Sequence, residues 1–193
     1  MVRWEPDARG RLQRAALDLY AERGFEATTA HDIAERAGVT ERTFFRHFAD
    51  KREVLFDGSA RLEHAMVAAV VASPAASALG AVLDALKASS EFFGGLREWS
   101  TKRAAVIAAN ASLQERELLK LSRMSEAVAN ALVERGTPAA EAALAADLGV
   151  AIFHRSFQRW ISGGEDYDAC VHATLEDFAR LSAASGLETR TTV

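Results

Sequence analysis

Residues 28–51, TTAHDIAERAGVTERTFFRHFADK, hold the densest set of side chains in this chain that could do chemistry. The chemistry they suit is hydrogen bonding to bases and phosphates, not bond making. Arg42 can bridge both major-groove acceptors of a guanine, which makes it the foremost base-reading candidate. Glu41 can accept from a cytosine amino group, or else orient Arg42 and touch no base. Arg46 adds a second guanidinium one helical turn on. Thr29, Thr40, Thr43, His47 and Lys51 are the candidate phosphate donors. His31 can also donate, and its charge would vary near neutral pH. For each of these residues the plain alternative is a solvated helix face without contact.

Local elements must place these groups, and the same window encodes them. Ile33, Ala37, Val39, Phe44 and Phe48 form the apolar set, with Ile33, Ala34 and Ala37 on one face at helical spacing. Ala34 is small where a second helix has to cross closely. Gly38 falls where the turn between helices needs a positive φ. Thr29 and Thr40 stand at two expected N-caps, and Asp50 opens an Asp-x-x-Glu capping box with Glu53. Three helix starts around one turn glycine describe a helix-turn-helix that puts a short helix into the DNA major groove. A helical hairpin without a DNA role would require caps, glycine and core spacing to coincide by accident.

From about Arg9 to Leu55 the chain resembles the TetR family of bacterial transcription regulators. The likeness rests on Ala15–Phe25, Thr28-Thr29, Asp32-Ile33-Ala34, Ala37-Gly38-Val39-Thr40, Phe48 and Lys51. It implies an all-α fold of about nine helices, with an N-terminal three-helix DNA-binding domain and a larger helical sensing and dimerisation domain. It implies that His31 occupies a position often held by a DNA-contacting Arg. Phe45 stands where the family usually has Tyr, so it lacks a hydroxyl for phosphate and would pack on sugar or a thymine methyl.

The composition agrees with a helical, globular chain. Of its 193 residues 49% are hydrophobic and only three are Pro, and no alternating β-branched run appears. The boundary is expected at 52/53, with residues 1–52 the DNA-binding domain and 53–193 the sensing and dimerisation domain. The net charge of −4 divides into about +1 for residues 1–52 and −5 for the rest. The first part is therefore no polybasic tether, and binding should depend on local placement of charge. The single cysteine, Cys170, allows no internal disulfide. The N-terminus has no signal-peptide pattern and no apolar run is long enough to span a bilayer, so a cytoplasmic protein with no membrane role is expected. His31, His47, His64, His154 and His172 include no HExxH and no pair at i, i+4, so no metal is expected. Cys170 and His172 point apart on a helix, which is poor geometry for nucleophile and base. No cofactor and no enzyme activity are expected; an all-helical enzyme is the rival that turnover would rescue.

Further helices are expected over 9–23, 30–37, 41–48, 51–72, 75–93, 96–109, 112–135, 139–162 and 167–184, with residues 1–8 a loose arm and the tail after Gly186 frayed. Ser112 to Glu115 reads as a capping box, and Thr137-Pro138 as an N-cap followed by Pro at the first helical position. The helix at 139–162 carries two apolar lines, one at Leu144, Leu148 and Ile152, the other at Phe153, Phe157, Trp160 and Ile161. Two lines imply burial on two sides. With Val171, Leu175, Phe178 and Leu181 of the last helix, the first line is the candidate homodimer face. In the family the last two helices pair with their copies as a four-helix bundle; filling of the protomer core is the alternative.

A small apolar or amphipathic effector is the other expected partner, beside the double-stranded operator. Met66, Phe92, Phe93, Trp99, Leu121, Met124, Phe153, Phe157 and Trp160 could line its pocket, and Arg103 could hold an anionic group. Ordinary core is the alternative for each. The runs Arg103–Ile107 and Leu113–Leu118 look similar to family members near mycofactocin genes, some of which sense fatty acyl-CoA, so an acyl-CoA is one candidate effector. The expected function is a ligand-responsive regulator, with repression the expected sign, acting as a homodimer on a palindromic operator. A regulator without a small-molecule ligand stays open.

Overall fold

The computed structural model describes residues 7–163 and 165–184. Residues 1–6 of the expected loose arm and the expected frayed tail lie outside them, as does Gly164 of the Gly163-Gly164 stop; Asp7 and Ala8, expected in the arm, are the cap and first residue of a helix. Among the described residues there are nine α-helices and no strand. They are α1 (Ala8–Arg23), α2 (Ala30–Arg36), α3 (Glu41–His47), α4 (Ser59–Ala72), α5 (Ala78–Ala88), α6 (Arg97–Ala108), α7 (Ala111–Glu134), α8 (Ala139–Ser162) and α9 (Tyr167–Ala184), with two 3-10 turns at Glu53–Phe56 and Ser89–Phe93.

Several boundaries differ from the sequence expectation: α5 begins at Ala78 behind a Ser77 cap and not at 75, and four others each have a local reason. α4 begins at Ser59, not Lys51. Val54, Leu55 and Phe56 are all buried, and three consecutive inward residues sweep too wide an arc for one face of an α-helix. The Asp50 carboxylate does accept from Arg52 N (2.7 Å) and Glu53 N (3.1 Å), but the reciprocal half of that box is missing. The Glu53 carboxylate accepts instead from Arg116 and Lys120. The expected helix over 75–93 tightens into a 3-10 turn after Ala88, where the Ser89 hydroxyl donates back to Leu86 O at 2.7 Å. The cap of α7 is Asn110 and not Ser112: its Oδ1 accepts from Ser112 Oγ (2.8 Å) and Leu113 N (3.3 Å). Pro138 is itself the cap of α8, one residue later than expected.

Two compact units result, and they do not follow chain order. Residues 1–61 and 98–121 form one, and 62–97 and 122–193 the other. The first is therefore not the 1–52 segment drawn from sequence. Its core joins Leu12, Ala16, Leu19, Ile33, Phe44, Val54 and Leu55 with Val106 and Ile107 of α6 and Leu113 of α7. Polar contacts follow the same grouping. Lys102 pairs with Asp18, Asn110 Nδ2 donates to Glu26 (3.2 Å), and Arg116 and Lys120 both meet Glu53.

In the second unit α5 presents Ala78, Ala81, Val82 and Ala85 to a core that α8 enters with Ala142, Ala145, Ala146 and Gly149. Small residues let the two backbones approach. A Cβ added at Gly149 would lie 2.2 Å from Val82 Cγ1, far inside van der Waals contact. Gly149→Ala is accordingly expected to destabilise the protein by about 1–2 kcal/mol through overpacking. A urea melt checks this; the gain in helix propensity that Ala normally brings would be the opposite result. No helix of the described residues is long and apolar enough to cross a membrane.

Candidate nucleic-acid interface

The helix-turn-helix forms as its caps dictate. Thr29 Oγ1 accepts from Asp32 N at 3.1 Å, and the Asp32 carboxylate accepts from Thr29 N (2.8 Å) and Thr29 Oγ1 (2.6 Å). These hydrogen bonds, with Arg23 at 3.2 Å, hold the Asp32 carboxyl below its usual pKa. Thr40 Oγ1 accepts from Thr43 N at 3.2 Å and starts α3. Between the helices Gly38 takes φ +67°, and Val39 N closes the turn on Ala34 O at 2.9 Å. Ile33, Ala34 and Phe44 are fully buried beneath. The Phe44 ring packs edge-on against Phe45 (5.2 Å between centroids) and tilted on Phe48 (5.7 Å).

Burying Phe44 and Phe48 turns Glu41, Arg42, Phe45 and Arg46 outward, and all four are exposed. Phe45, at 53%, is a large ring left in solvent on the helix meant to enter a groove. His31 is exposed on α2, with Nδ1 3.8 Å from Glu41 Oε2, close enough to pair when protonated. Glu41 thus faces His31.

The expected phosphate donors fare differently. The Thr29 hydroxyl proton is spent on Asp32. The Thr40 and Thr43 hydroxyls share one hydrogen bond at 3.0 Å, which leaves one of their two protons for an outside acceptor. His47 Nε2 is buried without a hydrogen-bond partner, so that nitrogen does not reach solvent. Lys51 Nζ donates to Phe25 O (2.9 Å) and Thr28 O (2.9 Å), with Glu26 O at 3.4 Å, and lies 4.2 Å from the Phe25 ring centroid. All three ammonium protons are directed at the α1–α2 loop. The sequence suggests a phosphate for Lys51; the geometry makes it a strut for the α1–α2 loop, because loop carbonyls and a ring face together satisfy a partly buried cation. Tyr20 completes the strut, its hydroxyl donating to Lys51 O at 2.5 Å. Burial and the nearby Asp50 push the Tyr20 hydroxyl well above its ordinary pKa, so it remains a donor. Lys51→Ala is expected to lower Tm and weaken DNA binding while leaving its salt dependence unchanged. A loss of one phosphate contact would instead reduce the slope by about 1.

The expected effector residues are divided between the units. Met66, Phe92, Phe93, Met124, Phe153, Phe157 and Trp160 lie in the second. Phe93 gathers Phe153 (6.0 Å), Phe157 (5.7 Å), Trp160 (5.4 Å) and Phe92 (5.5 Å) around its ring. Tyr167, not foreseen from sequence, is the nearest ring to it at 4.5 Å. Trp99, Arg103 and Leu121 belong to the first unit and do not join this set. Trp99 packs on the core that contains Phe44. Arg103 donates to Leu55 O (2.7 Å) and Glu117 (3.1 Å) and lies over Phe56, which occupies the guanidinium expected to hold an anion.

The candidate dimer face narrows likewise. Ile152 and Val171 are buried within the protomer, where α8 packs on both α5 and α9, so neither side chain is open to a partner. Leu144 and Leu181 are 71% exposed, and Leu148, Leu175 and Phe178 are half-buried between them.

Comparison with known proteins agrees with this geometry. Residues 12–57 match the model of the bacterial regulatory proteins of the tetR family. The chain is 45% identical over 67 residues to the HTH-type transcriptional regulator TcmR of Streptomyces glaucescens, a match covering 35% of this chain and 30% of that protein. The chain thus spans under a third of that relative's length. Two solved structures share the fold over nearly their whole length. One is a TetR-family transcriptional regulator from Syntrophomonas wolfei (TM-score 0.64, 18% identity, 96% of this chain and 98% of that one). The other is the regulator FadR from Bacillus subtilis in complex with stearoyl-CoA (TM-score 0.61, 17% identity, 93% and 99%). Residues 12–57 thus carry the DNA-binding domain of the tetR family of bacterial regulatory proteins, and the nine helices of the described residues share the fold of solved TetR-family regulators.

Proposed function

We propose that this chain is a sequence-specific DNA-binding repressor that works as a homodimer on a palindromic operator and releases it when a small molecule binds the second unit. The observation that carries the DNA role is the exposed row Glu41, Arg42, Phe45 and Arg46 on a helix capped by Thr40 and seated on buried Phe44. The half-exposed strip Leu144, Leu148, Leu175, Phe178 and Leu181 supports a second copy as partner, because a strip of that size is rarely left to water. Pairing two heads would set half-sites about 10 base pairs apart or a multiple of that.

The switch would be mechanical. α4 and α7 each contribute residues to both units, so a shift of either helix in the second is carried along the chain into the first. An effector must bind the DNA-free arrangement more tightly than the DNA-bound one. The effector is small and apolar or amphipathic. The stearoyl-CoA held by the Bacillus subtilis regulator makes an acyl-CoA one class to test. The protein acts in the cytoplasm, where its operator is.

Selection of bound duplexes from a random pool, run with the full chain, tests the reading. Enrichment of one inverted repeat by a species of dimeric mass is the expected result. Enrichment of single half-sites by a monomer would overturn the paired-head mechanism.

A further inference from the structure

We infer that Phe45 is a specificity-determining residue, and that it reads the 5-methyl group of a thymine in each half of the operator. This rests on the DNA-binding reading above and deepens it by naming a base. The Phe45 ring is 53% exposed on a helix of seven residues. It is anchored all the same: it packs edge-on against the buried Phe44 ring, with 5.2 Å between centroids and 84° between planes. One edge is held by the core and the rest is open to a partner.

Two rows run along the outward face of α3, each with its members one turn apart. Arg42 and Arg46 form one, and Glu41 and Phe45 the other. The guanidinium row suits phosphates as well as guanine. The second row offers no side-chain donor, since an ionised carboxylate only accepts and a phenyl ring does neither. Phosphates repel a carboxylate, so the row that carries Glu41 is favoured over the groove floor and not over the backbone. The floor presents acceptors, amino donors and one apolar group, the thymine methyl. A phenyl ring set against an acceptor or an amino group would desolvate it without pairing it, which is costly. Set against the methyl, the ring removes apolar surface from water on both sides. Packing on a sugar would bury similar area, but it would carry Glu41 on the same row toward the phosphates of that strand. With Phe44 holding one edge, the ring loses little rotamer freedom on contact.

The test uses the full chain and the inverted repeat it selects. Each thymine of the half-site is replaced in turn, in both halves, by deoxyuridine, which removes the methyl group alone. Affinities are measured at one salt concentration for the parent, Phe45→Ala and Phe45→Tyr. At one symmetric position the parent is expected to lose about fourfold per half-site, or about fifteenfold for both. Phe45→Ala should bind the thymine and uracil operators equally well, and Phe45→Tyr, which keeps the ring, should retain the uracil penalty. Uracil tolerated at every position overturns the inference. So does a uracil penalty that persists in Phe45→Ala, because another side chain would then read the methyl. A Phe45→Ala loss of the same size on thymine and uracil operators, with no uracil penalty in the parent, assigns the ring to the sugar backbone and also overturns it. A protein that selects an inverted repeat but ignores uracil loses only this inference; one that selects no operator loses the regulator reading itself.

Discussion

Phe44→Ala is expected to destabilise the first unit by about 3–5 kcal/mol, a large part of the roughly 5–15 kcal/mol that holds a domain folded. The ring is wholly buried, touches Phe45 and Phe48, and sits in one core with Ile33, Leu12, Leu55 and Ile107. α3 has only seven residues, too few to persist without that anchor. Truncating it should therefore remove binding to every DNA sequence alike. The neighbouring ring is the control: Phe45 is more than half exposed, and Phe45→Ala should leave the melt within about 0.5 kcal/mol of the parent. Equilibrium unfolding in urea measures both. A shift of under about 1 kcal/mol for Phe44→Ala would mean that the α2–α3 packing is not what holds the reading helix.

Arg42→Ala is expected to act in the opposite manner, leaving stability alone and relaxing preference at one base pair. Its side chain is exposed on the first turn of α3, beside Arg46 one turn on, where a bidentate contact to guanine is worth about 1–3 kcal/mol, or roughly 10- to 100-fold. Binding to a panel of single-base operator variants is the measurement. Discrimination should collapse at one symmetric pair of positions and persist elsewhere. An equal loss on every variant would make Arg42 a phosphate contact and end its reading role. Taken with Lys51→Ala, the two substitutions separate two functions of positive charge on one small unit, reading a base and bracing a loop, from the phosphate contact that is the alternative for each.

The reading head was legible because its signals are local. Thr29 and Thr40 cap where their side chains reach the third amide on, and Gly38 supplies the one positive φ the turn needs. Gly24 and Gly136, which follow α1 and α7, also take positive φ. Asp32, the partner that completes the Thr29 box, stands at the spacing a capping box requires. Where two capping residues compete within three positions, spacing alone does not choose: Asn110 displaced Ser112, since its longer amide spans both the Ser112 hydroxyl and the Leu113 amide. The Asp50 box failed on one side because Glu53 found cations 63 and 67 residues away.

From the sequence alone came the all-helical class, nine helices, the helix-turn-helix and the outward row on α3, all of which depend on contacts within four or five residues along the chain. Tertiary structure alone decided the rest. Ile152 and Val171 read as an outer stripe but fill the protomer core, because an apolar face does not say which neighbour will cover it. Lys51 left the phosphate role for the carbonyls of Phe25 and Thr28, and α6 with the start of α7 joined the N-terminal core through Val106, Ile107 and Leu113. The ring cluster of Phe93, Phe153, Trp160 and Tyr167 draws on three segments spread over more than 70 positions. Such pairings are set by the competition of whole surfaces for burial, and no periodicity along a single helix records its outcome.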